Sequence, residues 1–404
     1  MGFDVQTVRA GFPALREGTA HFDGPGGSQT PAAVAEAVAR TMTSSISNRG
    51  RVTASERRAD AVVLEARAAV GDLLGTEPGG VVFGRSMTAL TYDLARTLSW
   101  GWGPGDEVVV TSLDHDANIR PWVQAAERAG ATVRWAEFDP TTGELSVDAV
   151  KEQLSERTRL VAVTGASNLI GTRPDVPAIA AAAHSVGALV HVDAVHLAAH
   201  ALLDRRALGA DVIACSPYKF FGPHLGVQAA DPALLETLHP DKLLPSTDEV
   251  PERFELGTLP YELLAGTTAA VEVIATLDLA ASGDRRTRIA TSMAAAQTYE
   301  DSQRERLEAG LREVDGLVLH SRAARRTPTL LFSVDGVDSV ALSRHLGSAG
   351  VNAPASHFYA IEASRRLGLG DTGAIRAGIA PYTDTGDVDR LVAAVVDGVA
   401  VLRG

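Results

Sequence analysis

The sequence predicts a doubly wound α/β domain followed by a smaller α/β lobe, and three features predict it. Between about Ala61 and Ala230, short apolar runs rich in Val and Ile alternate with amphipathic helical segments. After about Gly266 the pattern turns helical from Thr267 through Val314. Beyond it lie a strand-like run at Thr329–Val334, the segment Ala341–Gly350 and an amphipathic helix from Asp387 onward. Runs that are apolar at every position suit strands covered on both faces, and the helices between them suit βαβ crossovers.

In order, Gly80–Phe83 (GVVF) reads as a strand and Met87–Leu98 as a helix. Glu107–Thr111 (EVVVT) is the next strand, followed by a helix from near Asn118. Ala131–Phe138, Thr158–Val163, Ala188–Val192 and Asp211–Ala214 complete the expected strands. The proline-bearing stretch His239–Glu252 reads as an exposed loop. The expected division is an N-terminal segment at 1–20 packed on the small domain, a large domain at 21–265 and a small domain at 266–404.

The 404 residues are 45% hydrophobic, enough for a large core. A net charge of −13 disfavours nucleic-acid and anionic-membrane partners, which call for a basic face. No apolar run approaches a membrane span, and MGFDVQTVRAGF lacks the basic start and apolar stretch of a signal peptide, so a cytoplasmic location is expected. Cys215 is the only cysteine, which excludes an internal disulfide framework and a multi-cysteine metal site. No metal site is expected.

Lysine is scarce: Lys151, Lys219 and Lys242 are the only three. Lys151 lies on a polar helix face and Lys242 in a loop, whereas Lys219 sits among aromatics and turn formers in CSPYKFFGP. An amine in such a setting loses solvation, which favours the nucleophilic free base. Alone, the position reads equally well as structural. Asp193 ends the apolar run of HVDAVH, and in a parallel sheet it would face the same crevice as Lys219. A carboxylate there keeps a pyridinium nitrogen protonated, although an isolated strand-end Asp is more often a cap. Ser86, Met87 and Thr88 open a helix after a strand, a place for a phosphate but also an ordinary capping pattern. His115, in DHDANIRPW, could stack on a cofactor ring or simply occupy a surface loop.

With these residues in view, the chain resembles the class V aminotransferase family of fold-type I pyridoxal-phosphate enzymes, in its cysteine desulfurase-like branch. FDGPGGSQTP, NRG, DHDANIRPW, SNLIGT, VDAVH, SPYKFFGP, RFELGT and IRAG carry the likeness nearly end to end. The resemblance implies a fold-type I architecture, a large mixed-sheet domain plus a smaller C-terminal domain, and pyridoxal 5′-phosphate as cofactor. It implies that Lys219 carries the cofactor as a Schiff base, Asp193 pairs with the ring nitrogen and His115 stacks on the ring. Asn168 and His196 would lie near the ring hydroxyl, and Met87 and Thr88, through helix-end amides, with Ser216 around the phosphate. Thr258 would reach the phosphate from a second subunit, implying a homodimer with a shared site. Arg376 would bind the substrate carboxylate as a fork, with Arg49 near the entrance.

The sequence departs from the branch where desulfurases carry a loop cysteine. The corresponding stretch, NAPASHFYA at 352–360, has none. His357 and Tyr359 occupy that loop as substrate contacts or as packing. Tyr218 replaces a histidine beside the lysine, and His196 replaces a glutamine. The expected activity is therefore C–S lysis by β-elimination on cysteine or an S-substituted cysteine, without a persulfide on the loop. The same fold also serves epimerases, decarboxylases, deaminases and aminotransferases, and a non-catalytic binding protein is the remote alternative. A dinucleotide-binding reading of FDGPGGSQ fails because those glycines precede the first clear strand.

Overall fold

The computed structural model describes residues 2–404. Its first strand, β1 (Ala20–His21), lies apart from the main sheet, which comprises β2 (Val81–Gly84), β3 (Glu107–Thr111), β4 (Thr132–Ala136), β5 (Thr158–Thr164), β6 (Leu189–Asp193), β7 (Val212–Cys215) and β8 (Gly226–Ala230). The strand order is β2-β8-β7-β6-β5-β3-β4. Only β8 runs against the others. The expected mixed, doubly wound sheet is present. β8 itself lay outside the expected strands, because Gly226-Val-Gln-Ala-Ala carries one strong strand former and a polar centre. Gln228 is nonetheless buried and lies 3.4 Å from the ring nitrogen Nε2 of His191 on β6.

The smaller lobe holds β9 (Leu317–Leu319), β10 (Thr329–Val334), β12 (Ala355–Ser356) and β13 (Ala374–Gly378), an antiparallel sheet ordered β12-β13-β10-β9. Between them, β11 (Val351–Asn352) pairs in parallel with β1.

Two further helices, Ala32–Met42 and Ala54–Leu74, precede the first expected strand. The second opens with a capping box in which Thr53 and Glu56 exchange hydrogen bonds, a device that contributes about 1 kcal/mol. The expected helical stretch 267–314 is two helices, Tyr261–Ala275 and Arg285–Arg312. The break follows from Gly283 at φ +100° and from Asp284, whose side chain accepts from the Thr287 amide at 2.8 Å.

The apolar clusters do not divide at 265/266. Leu264, Ala270, Ile274, Ile289, Met293 and Ala296 all belong to the larger lobe's core, and Leu307 is the first residue of the long helix in the smaller lobe's core. The N-terminal segment also joins both lobes rather than packing on the small one alone. Val8 and Phe12 enter the larger core, while β1 pairs with β11 and Arg9 meets Asp387 at 2.6 Å.

Candidate active site

Because β2, β3, β5, β6 and β7 point the same way, the residues that follow them converge at one edge of the sheet, where ligands bind in such folds. An inner cleft there is lined by Met87, Thr88, His115, Asn168, Asp193, His196, Ser216 and Lys219. It opens into an outer cleft bounded by Asp23, Tyr92, Arg120, Phe358, Tyr359 and Arg376.

Lys219 ends a 3₁₀ turn after β7, and its Nζ donates to the carbonyls of Pro25 and, at 3.0 Å, Gly26. Burial pushes the amine down to about 7; the Arg376 charge adds to the shift, and Asp23 and Asp193 oppose it. The neutral, nucleophilic form therefore dominates above about pH 7 instead of near the usual lysine value. Covalent loading of the cofactor-free protein is accordingly expected to speed up through pH 7 and level off above pH 8. Stopped-flow absorbance after mixing with pyridoxal phosphate checks this, and a rate still climbing steeply at pH 9.5 would contradict it.

Asp193 ends β6 with its Oδ1 accepting from the Val195 amide at 2.9 Å. Burial raises its carboxyl to about 6, against the pull of that hydrogen bond and of Lys219. A cationic ring nitrogen alongside would restore the carboxylate.

His115 follows β3. Its Nδ1 accepts from the Ala117 amide at 3.0 Å, which leaves any ring proton on Nε2. Burial, with Lys219 adding to it, pushes the imidazole down to about 4, so it is neutral at physiological pH. The loop is anchored from beneath by Asp114, which accepts from the Thr111 hydroxyl and, at 2.6 Å, from the Asn118 amide.

His196 is buried, with Nε2 at 2.9 and 3.0 Å from the hydroxyls of Thr327 and Thr329 on the smaller lobe. The Asn168 amide donates to the Phe358 carbonyl at 2.9 Å, while its buried Oδ1 has no partner. Arg376 pairs with Asp23 at 2.6 Å and donates to the Asn168 carbonyl at 3.0 Å, and its Nε is likewise unpartnered. The Phe358 ring covers the face of that guanidinium, with Cζ 3.7 Å from the ring centroid.

At the start of the helix Met87–Ser99, the amides of Met87 and Thr88 precede the first intrahelical bond, as at any helix start. Gly226 lets this turn rest directly on β8, since a Cβ there would fall 2.1 Å from the Ser86 carbonyl carbon. The hydroxyl of Ser86 caps the Ala89 amide at 3.1 Å, and Ser86 does not line the cleft. Ser86 was expected among the cofactor contacts; its hydroxyl oxygen accepts from Ala89, and its O–H remains available as a donor.

Three other expected site residues stand away from this chain's cleft. Thr258 is exposed on a loop. Arg49 is held by Asp60 at 2.9 Å and Glu252 at 2.8 Å. His357 accepts from the Tyr359 amide at 3.1 Å through Nδ1 and lines neither cleft. Tyr359 does line the outer cleft, its ring stacked near His115 at 5.6 Å between centroids. Sequence reasoning missed Asp23, Tyr92, Arg120 and Phe358 as site residues. Asp23, Arg120 and Phe358 had a signal, their places in FDGPGGSQTP, DHDANIRPW and the loop 352–360; Tyr92 meets the site only through folding.

The model of the class V aminotransferase family matches residues 20–391. The chain belongs to that family. A "probable cysteine desulfurase" of Pseudomonas aeruginosa is 30% identical over 413 residues, covering 98% of both chains. An "uncharacterized protein" of Mycobacterium tuberculosis is 37% identical, covering 98% of this chain and 99% of its own. Among solved structures, an Escherichia coli cysteine desulfurase superposes with a TM-score of 0.87 at 28% identity, covering 99% of both chains.

The protein is thus a cysteine desulfurase-like class V enzyme that depends on pyridoxal phosphate. The cleft's own chemistry fits that cofactor. It offers a neutral buried amine, a carboxylate suited to a ring nitrogen, helix-start amides suited to a phosphate, and the unpartnered Asn168 Oδ1. Cys215 is fully buried beneath it in β7, and burial pushes its thiol far up, with Asp193 adding to the shift. Among the described residues, no helix is long and apolar enough to cross a membrane.

Proposed function

We propose that this class V enzyme is a C–S lyase, acting on cysteine or an S-substituted cysteine by β-elimination without a protein persulfide. One observation carries the reading: the only thiol is sealed in β7, and the loop 352–360 presents Phe358 and Tyr359 to the cleft instead of a cysteine. A sulfur relay needs an exposed thiol of low pKa, and Cys215 meets neither condition.

In this reading Lys219, Asp193, His115, Asn168, His196 and Ser216, with the amides of Met87 and Thr88, hold the cofactor. When bound, pyridoxal phosphate supplies an electron sink for negative charge at the substrate's α-carbon. The Lys219 amine takes the α-proton, and its low pKa leaves it free to do so near neutral pH. Arg376 orients the substrate carboxylate, its guanidinium held flat by Phe358. The Cβ–S bond then breaks, a thiol leaves, and water releases pyruvate and ammonia. A homodimer is part of the proposal: Thr258 and Arg49, which miss this chain's cleft, would serve a partner's.

Product analysis with L-cysteine and several S-substituted cysteines tests the reaction. Pyruvate, ammonia and a free thiol in equal amounts support lysis; alanine as the product would overturn it. The Cys215→Ala variant is expected to keep its turnover within about twofold, because the thiol takes no part. It should lose about 1 kcal/mol of stability from the small cavity, read by denaturant unfolding. A large fall in turnover at unchanged stability would return Cys215 to the chemistry.

A further inference from the structure

The outer cleft lies directly outside the inner one and is open at its mouth. Five of its walls are aromatic: Tyr92, His115, Tyr218, Phe358 and Tyr359. The cations in the wall are already engaged. Arg376 is paired with Asp23, and Arg120 is paired with Asp116 at 2.8 Å and Glu362 at 3.2 Å. Counted as formal charges, those two groups sum to zero at Arg376 and to minus one at Arg120, so the part of the wall that this chain supplies offers an anionic substituent no arginine without a carboxylate partner.

The aromatic wall is also held at a cost. Phe358 and Tyr359 have φ of 50° and 59°, a left-handed backbone that side-chain-bearing residues rarely adopt. Each is less favourable than ordinary backbone, and such residues persist where the surroundings fix them. Here the fixing contacts are the Asn168 amide on the Phe358 carbonyl and the Asp116 amide, which donates to the Tyr359 carbonyl at 2.8 Å.

We propose that Phe358 and Tyr359 form, with Tyr92 and Tyr218, a subsite for an uncharged aryl or bulky apolar substituent on the sulfur of a cysteine substrate. This rests on the C–S lyase reading. The Cβ–S bond breaks and the substituent departs with its sulfur as an aryl or alkyl thiol, whose proton balances the one taken from the α-carbon. Nothing beyond the lyase reaction is required.

The test compares kcat/KM of the holoenzyme for S-benzyl-, S-methyl- and S-carboxymethyl-cysteine. Burying a phenyl ring is worth a factor of about 10 or more over methyl, and the carboxymethyl substrate should fall below methyl. Tyr359→Ala should shrink the benzyl-to-methyl ratio by about tenfold, whatever its effect on overall turnover. Calorimetric binding of the same three compounds to the cofactor-loaded Lys219→Ala protein gives the order without chemistry. Equal or reversed preference in both assays overturns the subsite. Absence of keto acid from every compound, with the benzyl compound still bound best, instead overturns the lyase reading and leaves the subsite standing.

Discussion

Lys219→Ala is expected to abolish turnover, lowering kcat by about 10⁴ or more, because the proposed reaction gives one amine two duties, covalent attachment and proton transfer. The side chain is the only lysine in either cleft, so no neighbour takes over. His115 is neutral but is already bound to the Ala117 amide through Nδ1. The loss is specific to chemistry: the fold should survive, since the amine's partners in the cofactor-free chain are two carbonyls of the Pro25–Gly26 turn and the face of the Tyr218 ring. Borohydride treatment and peptide mass mapping should place the cofactor on the Lys219 peptide in the wild type and on no peptide in the variant. Retention of a reducible linkage elsewhere would refute the assignment.

Asp193→Asn should be the next most damaging change, with kcat reduced by about 10² to 10³, the range seen when a single group stabilising developing charge is lost. The asparagine keeps the shape and leaves the Val195 amide with an acceptor, so stability should change little. In the proposed reading, what disappears is the negative charge that would keep a ring nitrogen protonated, and with it the sink for charge at the α-carbon. The cofactor's absorbance should also titrate differently, because buried Asp193, held near 6 in the cofactor-free chain, no longer couples to it. A variant with wild-type kcat would remove Asp193 from the chemistry.

The sequence alone determined the alternation of buried strands and helices, because fully covered parallel strands must be apolar at every position. It marked Lys219 and Asp193 as unusual, since a lysine among aromatics and an acid closing an apolar run conflict with their surroundings unless they serve something. It also excluded a loop thiol, for which counting cysteines sufficed.

Tertiary structure decided the rest. Phe358 and Asp23 are 335 positions apart in the chain (358 less 23) and meet at Arg376, which no local pattern encodes. Whether His357 or Tyr359 faces the cleft depended on two left-handed residues fixed by contacts to Asn168 and Asp116. That the Ser86 hydroxyl accepts from its own helix at Ala89, and that Ser86 does not line the inner cleft, also emerged only from the fold. Periodicity records which residues must avoid water. Which polar groups face one another across a cleft is settled only when separate segments pack, and there the energy differences are small and the partners distant in sequence.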